Sequence, residues 1–249
     1  MSKKTWGDWE NLGDDAKEGG MGHVFKVKNL KTGQIGALKK LKGSKPERIQ
    51  RFKMEVETIN CLDHPNIIKL IDSHLDEEPF YAVYEYEEGG SLGDLSEDEL
   101  LSLSLENQLQ LCEQVCNGLS AIHNESLVHR DIKPDNILIS KDRKTVRICD
   151  FGLVFVDDDE RVTLTKEQVG SKFFIPPELE DGSADEVTLK SDLYSMGKVL
   201  YYIITGEKFA REVHRLPKYN LAKIKNNPYF ESISRILDKT VTSEPVRSK

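Results

Sequence analysis

The sequence predicts an α+β protein with two unequal halves, a smaller one rich in strands followed by a larger one rich in helices. Short stretches that alternate apolar and polar residues occupy much of residues 9–86, with one helical stretch among them. Beyond a glycine-containing break at residues 88–91, apolar residues recur at helical spacing. With 249 residues the chain is long enough for one large two-lobed domain or two small domains.

Three stretches in the first half have strand character. Apolar and polar side chains alternate over residues 24–28 and 35–39, and residues 29–34 between them are typical of a hairpin turn. Residues 80–84 form the third stretch. We therefore expect a hairpin and at least one further strand in the small half.

Helical periodicity is present in both halves. In the small half a helix is predicted to open at Pro46 and to end by residues 64–66. Its apolar positions are Ile49, Phe52, Val56 and Ile59. In the large half a single apolar stripe is predicted from Leu109, Cys112, Val115, Cys116, Leu119 and Ile122. Residues 193–204 are nearly apolar all round, so we expect them at the centre of the large half.

The overall composition narrows the classes of partner and compartment. The formal net charge of −8 argues against a nucleic-acid surface, although local basic patches remain compatible with it. The first residues lack the apolar core of a signal peptide, and no apolar run approaches the ~20 residues of a membrane span. We therefore expect a soluble, cytoplasmic protein that binds neither nucleic acid nor membrane.

The chain contains four cysteines, Cys61, Cys112, Cys116 and Cys149. Cys112 and Cys116 are four residues apart in a helical stretch and so are expected to share a face. Because no histidine lies close to them in sequence, buried thiols are favoured over a zinc site.

Two short motifs carry the chemistry. Residues 129–136 read His-Arg-Asp-Ile-Lys-Pro-Asp-Asn, and residues 150–152 read Asp-Phe-Gly. Together they supply an acid, a lysine, an amide and a second acid. Phosphoryl transfer from a nucleotide needs such groups, to orient a hydroxyl, to neutralise a phosphate and to hold a magnesium ion.

These motifs resemble the catalytic core of the eukaryotic-type (Hanks-type) serine/threonine protein kinases, in the style of a minimal bacterial kinase domain. The resemblance covers nearly the whole chain. It implies a two-lobed kinase fold over residues 9–249, with a β-rich N-lobe at about 9–86 that holds one main helix. A hinge at about 85–90 and a mainly helical C-lobe at about 91–249 would follow. The implied cofactors are ATP and Mg²⁺, with Mn²⁺ as an alternative metal.

The resemblance also assigns roles in the catalytic loop. Asp131 would orient the substrate hydroxyl, and Lys133 would stabilise the transferring γ-phosphate. Asn136 would bind one metal ion, and Asp150 would chelate both. Arg130 would pair with a negative group in the activation segment.

The nucleotide-binding segment precedes the first predicted strand. Residues 17–24 end in the family pattern G-x-G-x-x-G-x-V, with Lys17 at the first glycine; alone, such a turn is also compatible with a plain hairpin. Lys39, in Ala-Leu-Lys, would reach the α- and β-phosphates and needs a carboxylate partner. Glu55 and Glu57 are the candidates, and the spacing to residues 64–66 favours Glu55. The complete set of ATP-binding candidates is Ala16, Lys17, Glu18, Gly19, Gly20, Met21, Gly22, His23, Val24, Ala37, Lys39, Glu55, Glu85, Glu87 and Leu138.

The segment that connects the lobes would form the adenine-binding site. By resemblance, backbone groups of Glu85 and Glu87 would hydrogen-bond the base, and Tyr84 would narrow the pocket behind it. Val24, Ala37 and Leu138 would sandwich the base, although core packing is an equally good interpretation of these three residues.

The activation segment is expected to run from Asp150 to Glu178. Thr163 and Thr165 would be phosphorylated, and Ser171 would contact the catalytic loop. Glu167 is interpreted either as a partial phosphate mimic or as a solvent-facing glutamate. By resemblance Arg247 would pair with Glu178, and the family's last helix is expected to be absent.

The leading hypothesis is a kinase that phosphorylates protein Ser and Thr hydroxyls, including its own through self-association. A pseudokinase scaffold and a small-molecule kinase are the alternatives. By resemblance, Lys133 and Ser171 favour the serine/threonine class over the tyrosine class.

Overall fold

The computed structural model describes residues 4–13, 17–18, 22–154, 173–180, 188–224 and 228–242. Within these ranges the small half is built on a seven-stranded sheet, and the large half contains most of the helices together with a two-stranded sheet. The predicted α+β, two-lobed architecture is confirmed. No helix in the described ranges has the length and apolar content needed to cross a membrane.

The large sheet is antiparallel throughout. Its strands are β1 (Thr5–Trp6), β2 (Trp9–Asn11), β3 (Lys17–Glu18), β4 (Gly22–Asn29), β5 (Ile35–Leu41), β6 (Leu70–His74) and β7 (Tyr81–Glu85). The order across the sheet is β1-β2-β4-β5-β7-β6, and β3 pairs with β4. The predicted hairpin is the β4–β5 pair, and the third predicted stretch is β7.

The strands β1, β2 and β6 are findings that the sequence patterns did not supply. β1 and β2 are too short for an alternating pattern to be visible, and their stability comes from packing. Trp6 and Trp9 are 4% and 1% exposed on the outer face of the sheet, against Leu38 and Val83. Trp9 Nε1 donates a 2.7 Å hydrogen bond to Asp72 Oδ2, which ties β2 to β6 across the sheet.

The inner face of the sheet packs against helix α1 (Pro46–Cys61). Pro46 stands at the first turn, where its missing N–H has no helical partner to lose. Phe52, Val56 and Ile59 are buried as their spacing predicts, while Ile49 is half-buried against the core. The helix places Glu55 on the same buried side.

The large half is organised around one buried helix. Its helices are α2 (Glu97–Ser102), α3 (Leu105–Asn124), α4 (Pro177–Glu180), α5 (Leu189–Thr205), α6 (Leu221–Ile224) and α7 (Pro228–Thr240). From residue 194 to residue 205 every side chain of α5 is buried, which confirms its predicted central place; Leu193 is the exception, at 46% exposed. Strands β8 (Ile137–Ile139) and β9 (Val146–Ile148) form a hairpin facing the small half.

The apolar stripe predicted for α3 was partly wrong. Leu111, which the prediction omitted, is 1% exposed, whereas Leu109 is 36% exposed and Cys116 is also exposed. Residues 109 and 116 are seven apart and therefore share a helix edge, and that edge lies beside the buried face rather than on it. The prediction of buried thiols was accordingly wrong for Cys116 and right for Cys112.

Candidate active site

A cavity of about 430 Å³ lies between the sheet of the small half and the β8–β9 hairpin. Eleven of its lining residues are ones that the sequence analysis placed in the site or beside it: Gly22, Val24, Ala37, Lys39, Glu55, Tyr84, Glu85, Glu87, Asn136, Leu138 and Asp150. His23, also a candidate, does not line the cavity. A Cβ on Gly22 would lie 2.4 Å from the Lys40 carbonyl oxygen, so only glycine allows β4 to approach β5 this closely.

The small half contributes a lysine held between two acids. Lys39 Nζ lies 2.6 Å from Glu55 Oε1 and 3.0 Å from Asp150 Oδ1. Glu55 is 2% exposed on α1, whereas Glu57, two residues further along the helix, is exposed. Lys39 therefore joins a strand, a helix and the segment after β9, and this fixes the position of its flexible stem.

The three charges of this group tune one another. Burial favours a neutral lysine, but Asp150 and Glu55 outweigh burial and raise the pKa of Lys39 well above its usual value. Burial also disfavours a charged Asp150, yet Lys39, Lys133 and His129 together lower the pKa of Asp150 to about 2. For Glu55 burial prevails over the attraction of Lys39, and its pKa is raised.

The large half contributes a connected acid, lysine and amide. Lys133 Nζ donates to Asp131 Oδ2 at 2.7 Å, and Asn136 Nδ2 donates to the same oxygen at 2.8 Å. Asn136 Nδ2 also donates to the Asp131 carbonyl oxygen at 2.9 Å. All three side chains are less than 10% exposed. Burial raises the pKa of Asp131, with Lys133 opposing it, so this acid binds its proton more tightly than a free aspartate.

The chemistry of Asn136 and Asp150 fits a divalent cation. The amide nitrogen of Asn136 donates two hydrogen bonds to Asp131, so its amide oxygen is the atom that could bind a metal ion. Asp150 is ionised and its side chain is 45% exposed toward the cleft. Hard cations such as Mg²⁺ accept oxygen ligands of this kind and complete their shell with water and phosphate oxygens. No group of three or more His, Cys, Asp or Glu side chains in the described ranges is arranged for a metal, so a cation here would depend on such additional ligands.

The buried helix α5 fixes the backbone of the loop that contains residues 129–136. Asp192, fully buried near the start of α5, accepts 2.8 Å hydrogen bonds from the backbone N–H groups of His129 and Arg130. Its Oδ2 also lies 2.8 Å from His123 Nε2 on α3. Arg130 and Asp150 both have left-handed backbone, with φ of 68° and 65°. Non-glycine residues hold such conformations only where the surroundings fix them, and this occurs most often at functional sites.

An apolar column links the two halves beside the polar groups. Phe151 is fully buried and meets His129 edge to face, with ring centroids 4.9 Å apart. Ile59 of α1 is buried in the same core, and Leu70 of β6 packs against that core. His129, Phe151, Ile59 and Leu70 thus lie in or against one apolar core.

The hinge carries a feature that the sequence analysis missed. Arg147 on β9 pairs with the side chains of Glu87 and Glu85, the latter with 3.6 Å between Nε and Oε2. Arg147 stands opposite Leu138 in the β8–β9 register. The same side chain therefore connects the hinge to the strand pair that forms the floor of the cavity. The signal available in the sequence was an arginine three residues before Asp150, but no local pattern shows its partners.

Several predicted site residues lie outside the described residues. They are Ala16, Gly19, Gly20, Met21, Thr163, Thr165, Glu167, Ser171 and Arg247. Lys17 and Glu18 are described only as backbone in β3, and Glu178 only as backbone in α4.

Taken together, the fold and the cleft form a two-lobed domain whose polar groups are those that phosphoryl transfer from a nucleotide requires. A lysine at the end of a cavity, an acid beside an amide and a second lysine, and a second acid with free carboxylate surface are suited to aligning a phosphate with an attacking hydroxyl.

Comparison with known proteins gives the family. The model of the protein kinase domain family matches residues 11–246, and the chain belongs to that family. It is 33% identical over 209 residues to the probable serine/threonine-protein kinase CPE1738 of Clostridium perfringens, covering 83% of this chain and 30% of the relative.

Two further bacterial relatives are similar to the same extent. The chain is 32% identical over 195 residues to the serine/threonine-protein kinase PrkC of Bacillus subtilis, covering 76% of this chain and 29% of the relative. It is 32% identical over 209 residues to PknB of Mycobacterium tuberculosis, covering 80% and 33%. The chain thus spans about a third of the length of these relatives. Family membership implies the use of ATP, a divalent metal and protein substrates.

Proposed function

We propose that the protein is an ATP-dependent kinase that transfers the γ-phosphoryl group to serine and threonine hydroxyls of proteins. The observation that carries this proposal is that Lys39, Asn136 and Asp150 line one cavity between the two halves, with Asp131 hydrogen-bonded to Asn136 beside it. The serine/threonine class is supported by Lys133 beside Asp131 and by relatives that are named serine/threonine kinases.

The nucleotide would enter with its base toward the hinge. Val24, Ala37 and Leu138 line the cavity, and so do Glu85 and Glu87, whose backbone groups would hydrogen-bond the base. Lys39, kept charged and fixed by Glu55 and Asp150, is the group suited to the α- and β-phosphates. The glycine-rich segment around Gly22 would cover the phosphates with its backbone N–H groups.

The acid on the opposite side would aim the attacking hydroxyl. Asp131 accepts a hydrogen bond from the substrate hydroxyl and holds it in line with the γ-phosphorus, and Lys133 neutralises charge that develops on the transferring group. Asn136 and Asp150 would hold Mg²⁺ or Mn²⁺. A bound metal ion would neutralise phosphate charge as the bond to the leaving oxygen lengthens.

The activation segment is proposed to be modified by a second copy of the enzyme. Phosphate on Thr163 or Thr165 would add about −1.5 to −2 charge, which Arg130 could bind through two parallel hydrogen bonds. Mass spectrometry of protein incubated with ATP and magnesium tests this, with a Thr163→Ala/Thr165→Ala double variant as the comparison. Glu167→Ala tests the mimic hypothesis, which unchanged activity in that variant contradicts.

The alternatives differ in what they require. A pseudokinase scaffold needs nucleotide binding without transfer, and the complete set of connected polar groups disfavours it. A small-molecule kinase would not need the activation segment that precedes Pro176. The location in the cytoplasm, without a nucleic-acid or membrane partner, stays a prediction of the sequence analysis.

One experiment tests the proposal directly. The purified chain is incubated with γ-labelled ATP, magnesium and a generic protein substrate, beside Asp131→Asn and the matched control Asp98→Asn, an exposed acid on α2. We expect label on serine and threonine with the unaltered chain and with Asp98→Asn, and loss of label with Asp131→Asn. Stabilisation by ADP with no label in any sample would contradict catalysis and favour the scaffold.

A further inference from the structure

Two polar atoms at the back of the cavity are buried without a hydrogen-bond partner among the described residues. They are Glu55 Oε2 and Tyr84 Oη. Glu55 is 2% exposed and Tyr84 is 7% exposed, and both side chains line the same cavity. Buried polar groups are nearly always satisfied, and an unsatisfied charged oxygen is especially unfavourable. Both side chains line one cavity, and the charge of Glu55 acts on Tyr84, so a polar connection between these two atoms would satisfy both.

The sheet register places the two side chains on the same side. Tyr84 of β7 stands opposite Ala37 of β5, two residues before Lys39. Side chains two apart on a strand point to the same face, so Tyr84, Ala37 and Lys39 share one face of the sheet. Glu55 approaches that face from α1 and contacts Lys39 there.

The two oxygens of Glu55 have different surroundings. Oε1 accepts the 2.6 Å hydrogen bond from Lys39, whose Nζ is also held by Asp150. Asp150, the other charged group acting on Glu55, is an acceptor and offers no proton. Burial, and next the charge of Glu55, raise the pKa of Tyr84 well above its usual value, so its hydroxyl keeps its proton and can donate.

We propose that Tyr84 is a positioning residue for the phosphate-binding lysine: its hydroxyl donates through one bridging water to Glu55 Oε2 and so fixes the carboxylate that holds Lys39. A buried water needs at least two polar partners, and these two atoms supply them. The inference rests on the proposed function, in which Lys39 meets the nucleotide phosphates. It assigns Tyr84 a task that its ring alone, as a wall of the adenine pocket, does not perform.

A role of the Tyr84 hydroxyl and a role of its ring alone predict different effects on the binding of phosphates and of adenine. If the hydroxyl acts through Glu55 and Lys39, its removal weakens the binding of phosphates and leaves the adenine-binding site intact. If only the shape of the ring matters, removing the hydroxyl changes neither. The variant Tyr84→Phe separates them, because it keeps the ring and removes one oxygen. Tyr81→Phe is the matched control, since Tyr81 lies on the same strand and packs on the outer face.

Calorimetric titration with ADP plus magnesium and with adenosine is the first measurement. For Tyr84→Phe we expect about tenfold weaker binding of ADP, as for loss of one hydrogen bond to a charged group, with adenosine affinity unchanged. Tyr81→Phe should leave both affinities unchanged. An equal loss for ADP and adenosine, or no loss for either, overturns the proposal.

A second measurement needs neither nucleotide nor catalysis. In nucleotide-free protein we expect Tyr84→Phe to lower the unfolding temperature, and to have no such effect in a Glu55→Met background, where the acceptor is gone. A rise in unfolding temperature with Tyr84→Phe would show an unsatisfied hydroxyl and would overturn the proposal. If the unaltered chain transfers no phosphate but this coupling is present, the proposed function fails while the present inference stands.

Discussion

The two sides of the cleft are held in different ways. On the large-half side, Asp131, Lys133 and Asn136 form a buried network, and Asp192 of the central helix fixes the backbone of the loop from below. On the small-half side, the position of Lys39 depends on ion pairs to elements that are far apart in the chain. Asp131 is thus held by neighbours within its own loop and by one distant anchor on α5, while Lys39 depends on how a strand, a helix and the segment after β9 are assembled.

This difference predicts which property of the protein a substitution on each side should impair. Changes on the large-half side should affect turnover or folding as a whole, because the network is connected and anchored. Changes at the hinge or behind Lys39 should affect particular parts of the nucleotide. Substitutions on the two sides of the cleft should therefore change different constants, and by different amounts.

The largest effect is expected for Asp131→Asn. The amide cannot act as a base toward the substrate hydroxyl, so kcat should fall by about 10²- to 10⁴-fold. Because Lys39 and the hinge are untouched, KM for ATP should change little. Steady-state kinetics at varied ATP measure both constants. A large rise in KM without a fall in kcat would contradict the separation between the two sides.

The next effect is expected for Asp192→Ala. The substitution leaves two buried backbone N–H groups and His123 without their acceptor. The free energy of unfolding should fall by about 3–5 kcal/mol, which urea denaturation measures. The control is Asp98→Ala on the exposed face of α2, with an expected change within about 1 kcal/mol. Equal stability of the two variants would show that the anchor is not needed.

A smaller, ligand-specific effect is expected for Arg147→Met. Glu87, one of its partners, has a side chain only 11% exposed, so the pair restrains the hinge. Adenosine and ADP should both bind about 3- to 10-fold more weakly, with kcat at saturating ATP unchanged. Lys141→Met is the matched control, because the Lys141–Glu88 pair has side chains 81% and 57% exposed and should contribute little. If Arg147→Met weakened the binding of ADP but not of adenosine, Arg147 would act on phosphate binding through Lys39 and not on the hinge.

The smallest effects concern the pH dependence of stability, in which ionised Asp150 stabilises the fold and ionised Asp131 destabilises it. Asp150 has a lowered folded pKa of about 2 against an ordinary value of 3.8, so its ionised form stabilises the fold above the ordinary value. This contribution is lost as the pH falls toward about 2. Asp131 has a raised folded pKa, so its ionised form lowers stability at neutral pH, and this penalty disappears as the pH falls through that pKa.

Thermal unfolding from pH 7 downward tests both signs. Asp150→Asn should lower the unfolding temperature at pH 7, with a difference from the unaltered chain that shrinks under acid. Asp131→Asn should leave the unfolding temperature at pH 7 equal or higher, and its difference should also shrink under acid. The same sign for both variants would contradict the contrast between the two carboxylates.

Much of the site was predictable because it lies in short contiguous motifs. Residues 129–136 and 150–152 supply four of the polar groups with fixed spacing, and folding changes only how the two segments meet. The choice of Glu55 over Glu57 was also available: residues two apart on a helix face different directions, and by resemblance to the family the count back from residues 64–66 favours Glu55. Glu55 is buried at Lys39 and Glu57 is exposed.

The failures have a common cause. The stripe on α3 was predicted from apolar character alone, yet which edge of a helix is buried depends on its neighbours, so Leu109 and Cys116 were misplaced. The strands β1 and β2 are too short for a periodic signal, and they exist because Trp6 and Trp9 cover the outer face of the sheet.

The two-part architecture, the β4–β5 hairpin and the groups suited to phosphoryl transfer could be read from the sequence, because they reside in local periodicity and contiguous motifs. Only the tertiary structure decided that Arg147 reaches the hinge and that Tyr84 lies behind Glu55 and Lys39. Such contacts join residues tens of positions apart. Their distances depend on how the sheet, α1 and the β8–β9 hairpin pack together, which no local pattern encodes.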